Sequence, residues 1–460
     1  MTNNLIVSIN PSNYKEIGSV EISTVDEVKL KVKLAHQAKE NWRDLGVSKR
    51  VKLLREIFTE VKSRKEEIAL LESQEMGMPV SDALIDVDGT LDYANWYFDN
   101  AQNYLSPEIT FENDNELHQV VYEPIGVTAL IIPWNFPLAN FVWGGLQSLI
   151  CGNVVIMKHS EEVPLSTKLI EEIMSNHNLP EGVFSVVYGA GDVGSTLVNE
   201  DINLITFTGS TKVGKQLYEL AGKKFIKAVV ELGGSAPAII FDDANLDIVA
   251  ENVCFNRLLN QGQCCDGLKR VIVHESIVDI VIDKLKVQFE SKKIGNAQDF
   301  DTQIGPLVAK RQLDLLVSQV EDAINKGAVV VTGGKSLEKE LGGAFFQPTI
   351  LKNVTADMRV WNEEVFGPVL PIMTFKTEVE AIKLANETAY GLGSYLYATD
   401  KEVIARVSSA IQAGMVSVNG TNYIMPFNPF GGYKASGFGR EHGKYGFHEL
   451  TQIKVIAQNK

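Results

Sequence analysis

The feature that most constrains the fold of this chain is an uncharged stretch of 34 residues, from Pro124 to Met157, within a sequence of 460 residues. A stretch of that length is long enough to span a lipid bilayer. Pro133 and Pro137 lie inside it, however, and would interrupt a spanning helix. Parallel strands that are covered on both faces also have near-continuous apolar runs. We therefore interpret the stretch as strand, loop, helix and strand inside a buried sheet, and we expect no membrane association.

The composition fits a globular chain with an acidic surface. Hydrophobic residues make up 45% of the sequence and charged residues 22%, which excludes a disordered chain and a disulfide-stapled miniprotein. Lys and Arg together number 43 and Asp and Glu 58, giving a formal net charge of −15. This balance argues against a nucleic-acid partner, whose phosphate backbone needs basic residues. The length predicts two to four domains.

The cysteines and the first residues bear on metal binding and on compartment. Cys151, Cys254, Cys264 and Cys265 lack the spacing of a metal site, so no metal is expected. Residues 1–16 have neither a basic start nor an apolar core of signal-peptide length. We therefore expect a cytoplasmic protein with reduced thiols, one of which could be reactive.

Strand-like and helical segments alternate along most of the chain. The strand-like runs are Val127–Ile132, Val154–Met157, Phe184–Tyr188, Leu204–Phe207, Ala228–Leu232, Val329–Thr332, Val369–Phe375 and Met415–Val418, and the helical segments between the first five include Leu165–Asn176 and Val213–Lys223. This alternation predicts an α/β fold with a parallel, doubly wound, Rossmann-like sheet.

Two parts of the chain depart from that alternation. Residues 24–105 keep helical spacing, beginning at a capping box formed by Thr24 and Glu27. Residues 106–124 contain two strand-like runs around a polar turn and predict a hairpin, while Leu450–Gln458 predicts one more strand.

Two glycine-containing motifs could bind phosphate. Gly189–Gly194 has the spacing G-x-G-x-x-G after a strand, but glycines after strands are also ordinary turns. Phe207–Gly214 places a Gly/Ser/Thr turn between a strand and a helix, whose first N–H groups could hold a pyrophosphate. The ordinary interpretation of that turn is a helix N-cap.

Two further motifs could supply reactive groups. Glu231 ends an apolar strand, where partial burial would raise its pKa toward the range of a general base. A helix cap or a structural ion pair is the alternative. Cys264 and Cys265 follow a polar glycine turn, and their spacing alone does not decide which of them reacts.

Taken together, the motifs resemble those of the NAD(P)-dependent aldehyde dehydrogenase superfamily, from about residue 9 to residue 457. The matching signatures are, in chain order, Pro133–Pro137, Phe207–Ser210, Glu231–Gly234, Gly262–Cys265, Glu363–Pro368 and Pro429–Gly437. The resemblance implies a Rossmann-like NAD-binding domain at 1–105 and 125–233, an α/β catalytic domain at 234–445, and a small β oligomerisation element at 106–124 and 446–460.

The resemblance also implies catalytic roles and a hydrolytic reaction. Cys265 matches the nucleophile, which forms a thiohemiacetal and then a thioester. The Asn135 amide and the Cys265 backbone N–H match the groups that hold the oxyanion. Glu231 matches the base that activates water to release the acid.

Cofactor residues carry over in the same way. The positions that resemble the family's cofactor contacts are Trp134, Lys158, Ser160, Glu161, Gly189, Phe207, Gly209, Ser210, Leu232, Glu364 and Phe366. Lys158 and Glu161 resemble the pair that binds the adenosine ribose. A carboxylate there accepts bonds from both ribose hydroxyls but repels a 2′-phosphate, so NAD is expected rather than NADP. The alternative for Glu161 is a cap of the following helix.

The substrate expectation depends on the tunnel residues. Trp143 stands where relatives that oxidise succinic semialdehyde often have an arginine suited to a carboxylate. With Ile424 and Phe430 expected near it, we predict a neutral, apolar aldehyde as the small-molecule partner. Asp266 replaces a small or neutral residue after the nucleophile and would disfavour anions, unless it only makes a structural hydrogen bond.

Alternative functions remain at this point. A succinic or other semialdehyde dehydrogenase is the closest alternative. A CoA-acylating enzyme would typically lack Glu231, and an inactive relative should have lost Cys265, Asn135 or Glu231. The predicted hairpin and terminal strand resemble the family's oligomerisation elements, whose edges need pairing, so a homodimer or homotetramer is expected.

Overall fold

The N-terminal part of the chain is a hairpin followed by four helices. The structure, a computed structural model, describes residues 4–460, so the first three residues of the predicted cofactor domain lie outside it. The hairpin comprises β1 (Leu5–Asn10) and β2 (Lys15–Glu21), which pair antiparallel. The helices are α1 (Val25–Asp44), α2 (Val47–Ser63), α3 (Lys65–Met76) and α4 (Val80–Leu105). The predicted helical region and the capping box are confirmed, since Thr24 and Glu27 bond reciprocally at the start of α1.

The next elements form the predicted hairpin and the first alternating set. They are β3 (Glu108–Glu112), β4 (Glu116–Pro124), β5 (Val127–Ile132), α5 (Pro137–Asn140), α6 (Gln147–Cys151), β6 (Val154–His159), α7 (Pro164–Ser175), β7 (Phe184–Val186), α8 (Gly191–Asn199), β8 (Leu204–Thr208), α9 (Thr211–Lys224) and β9 (Lys227–Glu231). A π-helical turn, Phe141–Leu146, joins α5 to α6.

The second alternating set follows. Its elements are β10 (Ala236–Ile240), α10 (Leu246–Leu258), β11 (Leu268–His274), α11 (Val278–Glu290), α12 (Lys310–Asn325), β12 (Val329–Thr332), α13 (Glu338–Leu341), β13 (Thr349–Lys352), α14 (Arg359–Asn362), β14 (Val369–Phe375), α15 (Glu378–Asn386), β15 (Tyr395–Tyr397), α16 (Lys401–Ala410), β16 (Ser417–Val418), β17 (Gly437–Phe438), α17 (Gly443–Glu449) and β18 (Thr451–Asn459).

The uncharged stretch lies at the centre of a six-stranded sheet. The strand order is β17-β9-β8-β5-β6-β7, and all neighbours are parallel except β17 against β9. Strands β5 and β6 are buried along almost their whole length, with α1 and α6 packed against them. The predicted strand–loop–helix–strand is therefore confirmed, and its lack of charge follows from burial. Among residues 4–460, no helix combines the length and apolar character needed to cross a bilayer.

Two further sheets complete the molecule. The second alternating set forms a seven-stranded sheet of order β12-β13-β14-β11-β10-β15-β16, in which only β12 runs antiparallel to its neighbour. The third sheet has the order β18-β4-β3 and is antiparallel. The strand predicted at Met415–Val418 is shorter than expected, since only Ser417–Val418 pairs.

Strand β17 links the two halves of the molecule. It lies within the range predicted for the catalytic domain, yet it pairs with β9 of the first sheet, with Gly437 opposite Glu231. The carboxyl ends of β5, β8 and β9 therefore face residues contributed by the second half. In α/β sheets, ligands bind at the carboxyl ends of the strands. The domain boundaries themselves stay a prediction.

Candidate active site

Cys265 lies on a tight turn between α10 and β11. The turn contains two successive non-glycine residues with positive φ, Asn260 at 48° and Gln261 at 53°, a conformation that is costly and concentrates at functional sites. The Cys265 thiol is partly exposed, unlike the three other cysteines, which are buried. Its Sγ lies 4.0 Å from Oδ1 of Asp266. Burial and then the Asp266 carboxylate raise the pKa of the thiol, while Lys269 opposes them.

Asn135 connects the end of β5 to the cysteine turn. Its Nδ2 donates to the carbonyl of Gln263 at 2.9 Å, and its own carbonyl accepts from Asn260 Nδ2 at 2.8 Å. An amide nitrogen has two hydrogens. One of them is used by Gln263, so the other remains available to a bound oxygen beside Cys265.

Glu231 is the last residue of β9 and is buried, with 2% of its surface exposed. Neither of its carboxylate oxygens has a hydrogen-bond partner within residues 4–460. A Cβ on Gly431 would lie 2.7 Å from Oε1 of Glu231, so the close approach of this loop requires glycine. Burial and the nearby Glu441 raise the pKa of Glu231 well above its ordinary value.

These three side chains meet in one cavity of about 300 Å³. Predicted residues that line it are Trp134, Asn135, Trp143, Gly209, Ser210, Glu231, Leu232, Cys265, Glu364, Phe366, Ile424 and Phe430. The cavity also contacts Asp266, Glu441 and His442. A thiol, an amide donor and a buried carboxylate therefore surround one volume, the combination that acyl-transfer chemistry needs.

A second cavity of about 500 Å³ adjoins the first and shares Trp134, Gly209 and Ser210 with it. Four further predicted cofactor residues line it, namely Lys158, Ser160, Glu161 and Phe207. Lys158 Nζ lies 3.1 Å from Glu161 Oε2. Burial raises the pKa of Glu161, but Lys158 and Arg311 outweigh it, so the net shift is downward.

The family can now be assigned from comparison with known proteins. The profile of the aldehyde dehydrogenase family matches residues 1–456. The chain belongs to the aldehyde dehydrogenase family. The predicted family, fold class and enzyme class are confirmed by this match and by the structural similarity below.

The chain is similar to relatives whose names state different aldehydes and to a solved structure of the same family. Aminoaldehyde dehydrogenase 1, a peroxisomal protein of Pisum sativum, is 37% identical over 99% of this chain and 93% of its own length. Succinate-semialdehyde dehydrogenase [NADP(+)] GabD of Escherichia coli is 36% identical, covering 97% of this chain and 93% of the relative. The structure of PnpE from Pseudomonas sp. WBC-3, solved also in complex with nicotinamide adenine dinucleotide, superposes with a TM-score of 0.95 at 33% identity, covering 99% of this chain and 94% of PnpE.

Among the cofactor positions carried over from aldehyde dehydrogenases, Gly189 is placed differently from the others. Gly189 lines neither cavity. A Cβ at this position would collide with Val193, so glycine is needed here for the chain to pack closely against the start of α8. Gly191 and Gly194 of the same motif line the second cavity.

Sequence reasoning missed three residues of this aldehyde dehydrogenase site. Glu441 and His442 reach the first cavity because β17 pairs with β9, and burial raises the pKa of Glu441 to about 7 and lowers that of His442 to about 3. Lys269 lies behind Cys265 and bonds Glu364. The sequence signal that could have identified these three residues is their position, because each lies four or five residues after a recognised motif, Pro429–Gly437 or Gly262–Cys265.

Proposed function

We propose that this aldehyde dehydrogenase oxidises an aldehyde to the carboxylic acid with NAD, by a hydrolytic route. The convergence of Cys265, Asn135 and Glu231 on one cavity carries the proposal. The direct test is to follow NADH absorbance and acid formation with an aldehyde and no CoA. NADH formed together with free acid supports the proposal, whereas a strict requirement for CoA overturns it.

Each catalytic group has a distinct task in this reaction. Cys265 Sγ attacks the aldehyde carbon, and the oxygen that becomes negative is stabilised by the free Asn135 N–H and the Cys265 backbone N–H. When bound, NAD would accept the hydride that leaves the substrate carbon. Before this hydride transfer the substrate is bound to Cys265 as a thiohemiacetal, and after it as a thioester. Glu231 then takes a proton from water, which attacks the thioester carbon and releases Cys265.

Residues of the second cavity fit NAD by their chemistry. Lys158 and the ionised Glu161 offer a donor and an acceptor for a ribose diol. The first turn of α9, capped by Ser210, offers backbone N–H groups for a pyrophosphate. The Glu161 carboxylate repels a 2′-phosphate. We expect kcat/KM to favour NAD over NADP, and Glu161→Gln to reduce that preference; equal use of both cofactors by the wild type contradicts this assignment.

The substrate we propose is a neutral, apolar aldehyde. Phe136, Trp143, Ile424 and Phe430 line the cavity beside Cys265. Asp266 and Glu441 line the same cavity and are acidic, so in their ionised form they disfavour an anionic tail. A panel of propanal, hexanal, benzaldehyde and succinic semialdehyde, compared by kcat/KM, tests this proposal. Preference for succinic semialdehyde overturns it.

A semialdehyde dehydrogenase is the second candidate, and the similarity to GabD supports it. A carboxylate-bearing substrate needs a cationic or multiply hydrogen-bonding partner. Arg311 is the arginine that lines the first cavity. It also lines the second cavity, and its guanidinium pairs with Glu162 at 2.7 Å. If succinic semialdehyde is preferred, loss of that preference in Arg311→Gln would identify the recognising group.

A further inference from the structure

Lys269, at the start of β11, is a buried lysine within the active site. Only 1% of its surface is exposed. Its Nζ donates to the carbonyl of Gly234 at 2.8 Å, to the carbonyl of Cys265 at 2.9 Å and to Oε1 of Glu364 at 2.6 Å. An ammonium group has three donors, so the hydrogen-bonding capacity of Lys269 is fully used.

The three acceptors belong to three different segments of the site. Gly234 lies just after β9, Cys265 lies on the turn between α10 and β11, and Glu364 lies just after α14. The contact is close, because a Cβ on Gly234 would lie 2.5 Å from the Cys265 carbonyl oxygen. Glu364 Oε1 also accepts from the Gly234 N–H at 2.9 Å. Lys269 therefore joins segments that are far apart in the sequence at a point directly behind the nucleophile.

The charge of Lys269 matters because its surroundings are acidic. The titratable groups that act on the Cys265 thiol are Asp266, Lys269, Cys264 and Glu364. Tyr423 and Cys265 pack against the same hydrophobic cluster, and Glu231, Glu441 and His442 line the same cavity. Four of these groups are carboxyls, and Lys269 is the cation among them. Burying an ammonium carries a large desolvation penalty unless it is paired and hydrogen-bonded. A neutral donor could join the same carbonyls without that cost, so a cation at this position points to an electrostatic role as well.

We propose that Lys269 is a positioning residue for the nucleophile: its ammonium fastens the Cys265 turn to Gly234 and Glu364 and places a positive charge beside the reactive sulfur. The proposal rests on the proposed function only in taking Cys265 as the nucleophile. Lys269 also fixes the orientation of Glu364. Oε1 of this carboxylate accepts hydrogen bonds from Lys269 and from the Gly234 N–H, while Oε2 has no hydrogen-bond partner in the described part of the chain. The direction of the Cys265 pKa agrees, since burial and Asp266 raise it and Lys269 lowers it.

The test measures the reactivity of Cys265 without aldehyde or cofactor. In alkylation by iodoacetamide, the thiolate sulfur bonds to the CH₂ carbon, iodide leaves, and a carbamidomethyl group remains on the cysteine. The rate at Cys265 is followed by peptide mass spectrometry as a function of pH. Lys269→Gln keeps donors but removes the charge, and Lys269→Arg keeps the charge. Lys284→Met is the control for loss of a paired lysine, because Lys284 also pairs with a carboxylate, Asp247 at 2.7 Å, but its side chain is 40% exposed.

The expected result separates charge from packing. In Lys269→Gln the midpoint of the alkylation profile rises by about one pH unit, which makes the rate at neutral pH about tenfold lower. Lys269→Arg and Lys284→Met keep the wild-type midpoint. The proposal is overturned if Lys269→Gln has the wild-type profile while circular dichroism shows it folded. It is equally overturned if Lys269→Arg shifts as far as Lys269→Gln, a comparison that remains decisive if the glutamine variant does not fold. Failure of the chain to oxidise any aldehyde would leave the alkylation result standing.

Discussion

At the scale of single residues, Cys265, the nucleophile we propose, has an acidic and a basic side chain close to it. Asp266 lies 4.0 Å from Sγ of Cys265, and its carboxyl is held by Tyr423, whose hydroxyl donates to Oδ2 at 3.5 Å. Lys269 contacts the carbonyl of the same cysteine. Burial and Asp266 raise the pKa of the Cys265 thiol and Lys269 lowers it, and this pKa decides how much of the nucleophilic thiolate is present at neutral pH.

Replacing Asp266 tests the acidic side of that balance. In Asp266→Asn one negative charge beside the sulfur is lost, so the pKa of the Cys265 thiol falls and alkylation by iodoacetamide at pH 7 accelerates, by up to about tenfold if the shift reaches one unit. Asp242→Asn, on the surface, is the control and should leave the rate unchanged. Slower alkylation in Asp266→Asn would mean that this carboxylate helps the thiol to react.

Glu231 gives a second prediction at this scale. Glutamine is nearly isosteric but cannot accept a proton from water, so Glu231→Gln should lower the steady-state rate by about 10²–10⁴. The acyl group should then be found on Cys265 by intact-protein mass spectrometry. Because burial raises the pKa of Glu231, the wild-type rate should fall as pH drops through that raised pKa. Glu251→Gln on α10 serves as control, and a loss of rate without trapped acyl-enzyme would contradict the role as base.

At the scale of elements, the sequence predicted helices and strands well where their formation depends on neighbouring residues in the chain. The bounds of β5, β12 and β14 match their sequence patterns, because short apolar runs between turns leave few alternatives. Cys265 and Glu231 lie in contiguous motifs that could be recognised in the sequence, and the structure brings both side chains to one cavity. Glu441 and His442 were not found, because they reach the cavity only through the pairing of β17 with β9. The β1–β2 hairpin was missed because hydrophobicity and burial disagree in β1, where Val7 and Ile9 are exposed while Ser8 and Asn10 are buried.

The capping box of α1 gives a prediction for one such local signal. Thr24 Oγ1 accepts from the Glu27 N–H at 3.2 Å, and Glu27 Oε2 accepts from the Thr24 N–H at 2.7 Å. Thr24→Ala removes the cap at a cost of about 1 kcal/mol. Amides in the first turn of α1 should then exchange about fivefold faster in hydrogen–deuterium exchange. Thr59→Ala, which removes only a bond to the Glu56 carbonyl, should not change that turn. Unchanged exchange in Thr24→Ala would show that packing alone holds the helix start.

At the scale of the whole molecule, charge and burial are distributed very unevenly. The uncharged stretch that could have spanned a membrane contains β5 and most of β6, which are buried strands of the six-stranded sheet, and Pro133 and Pro137 bracket Asn135. The opposite case is the three-stranded sheet. Its strands β3 and β18 are exposed along nearly their whole length, although β18 carries a row of aliphatic residues. An exposed apolar edge strand of this kind favours pairing with another chain.

We therefore predict a homodimer or homotetramer whose contacts include β18. Ile453 and Val455 are 65% and 64% exposed on one face of that strand. Converting both to lysine places charge on the surface to be buried, so the double variant should run as a monomer in light scattering at micromolar concentration, while the wild type has two or four times that mass. Gln458→Lys adds a charge to the same strand without removing an apolar side chain and should keep the wild-type mass. A wild type that is already monomeric at micromolar concentration would contradict this prediction.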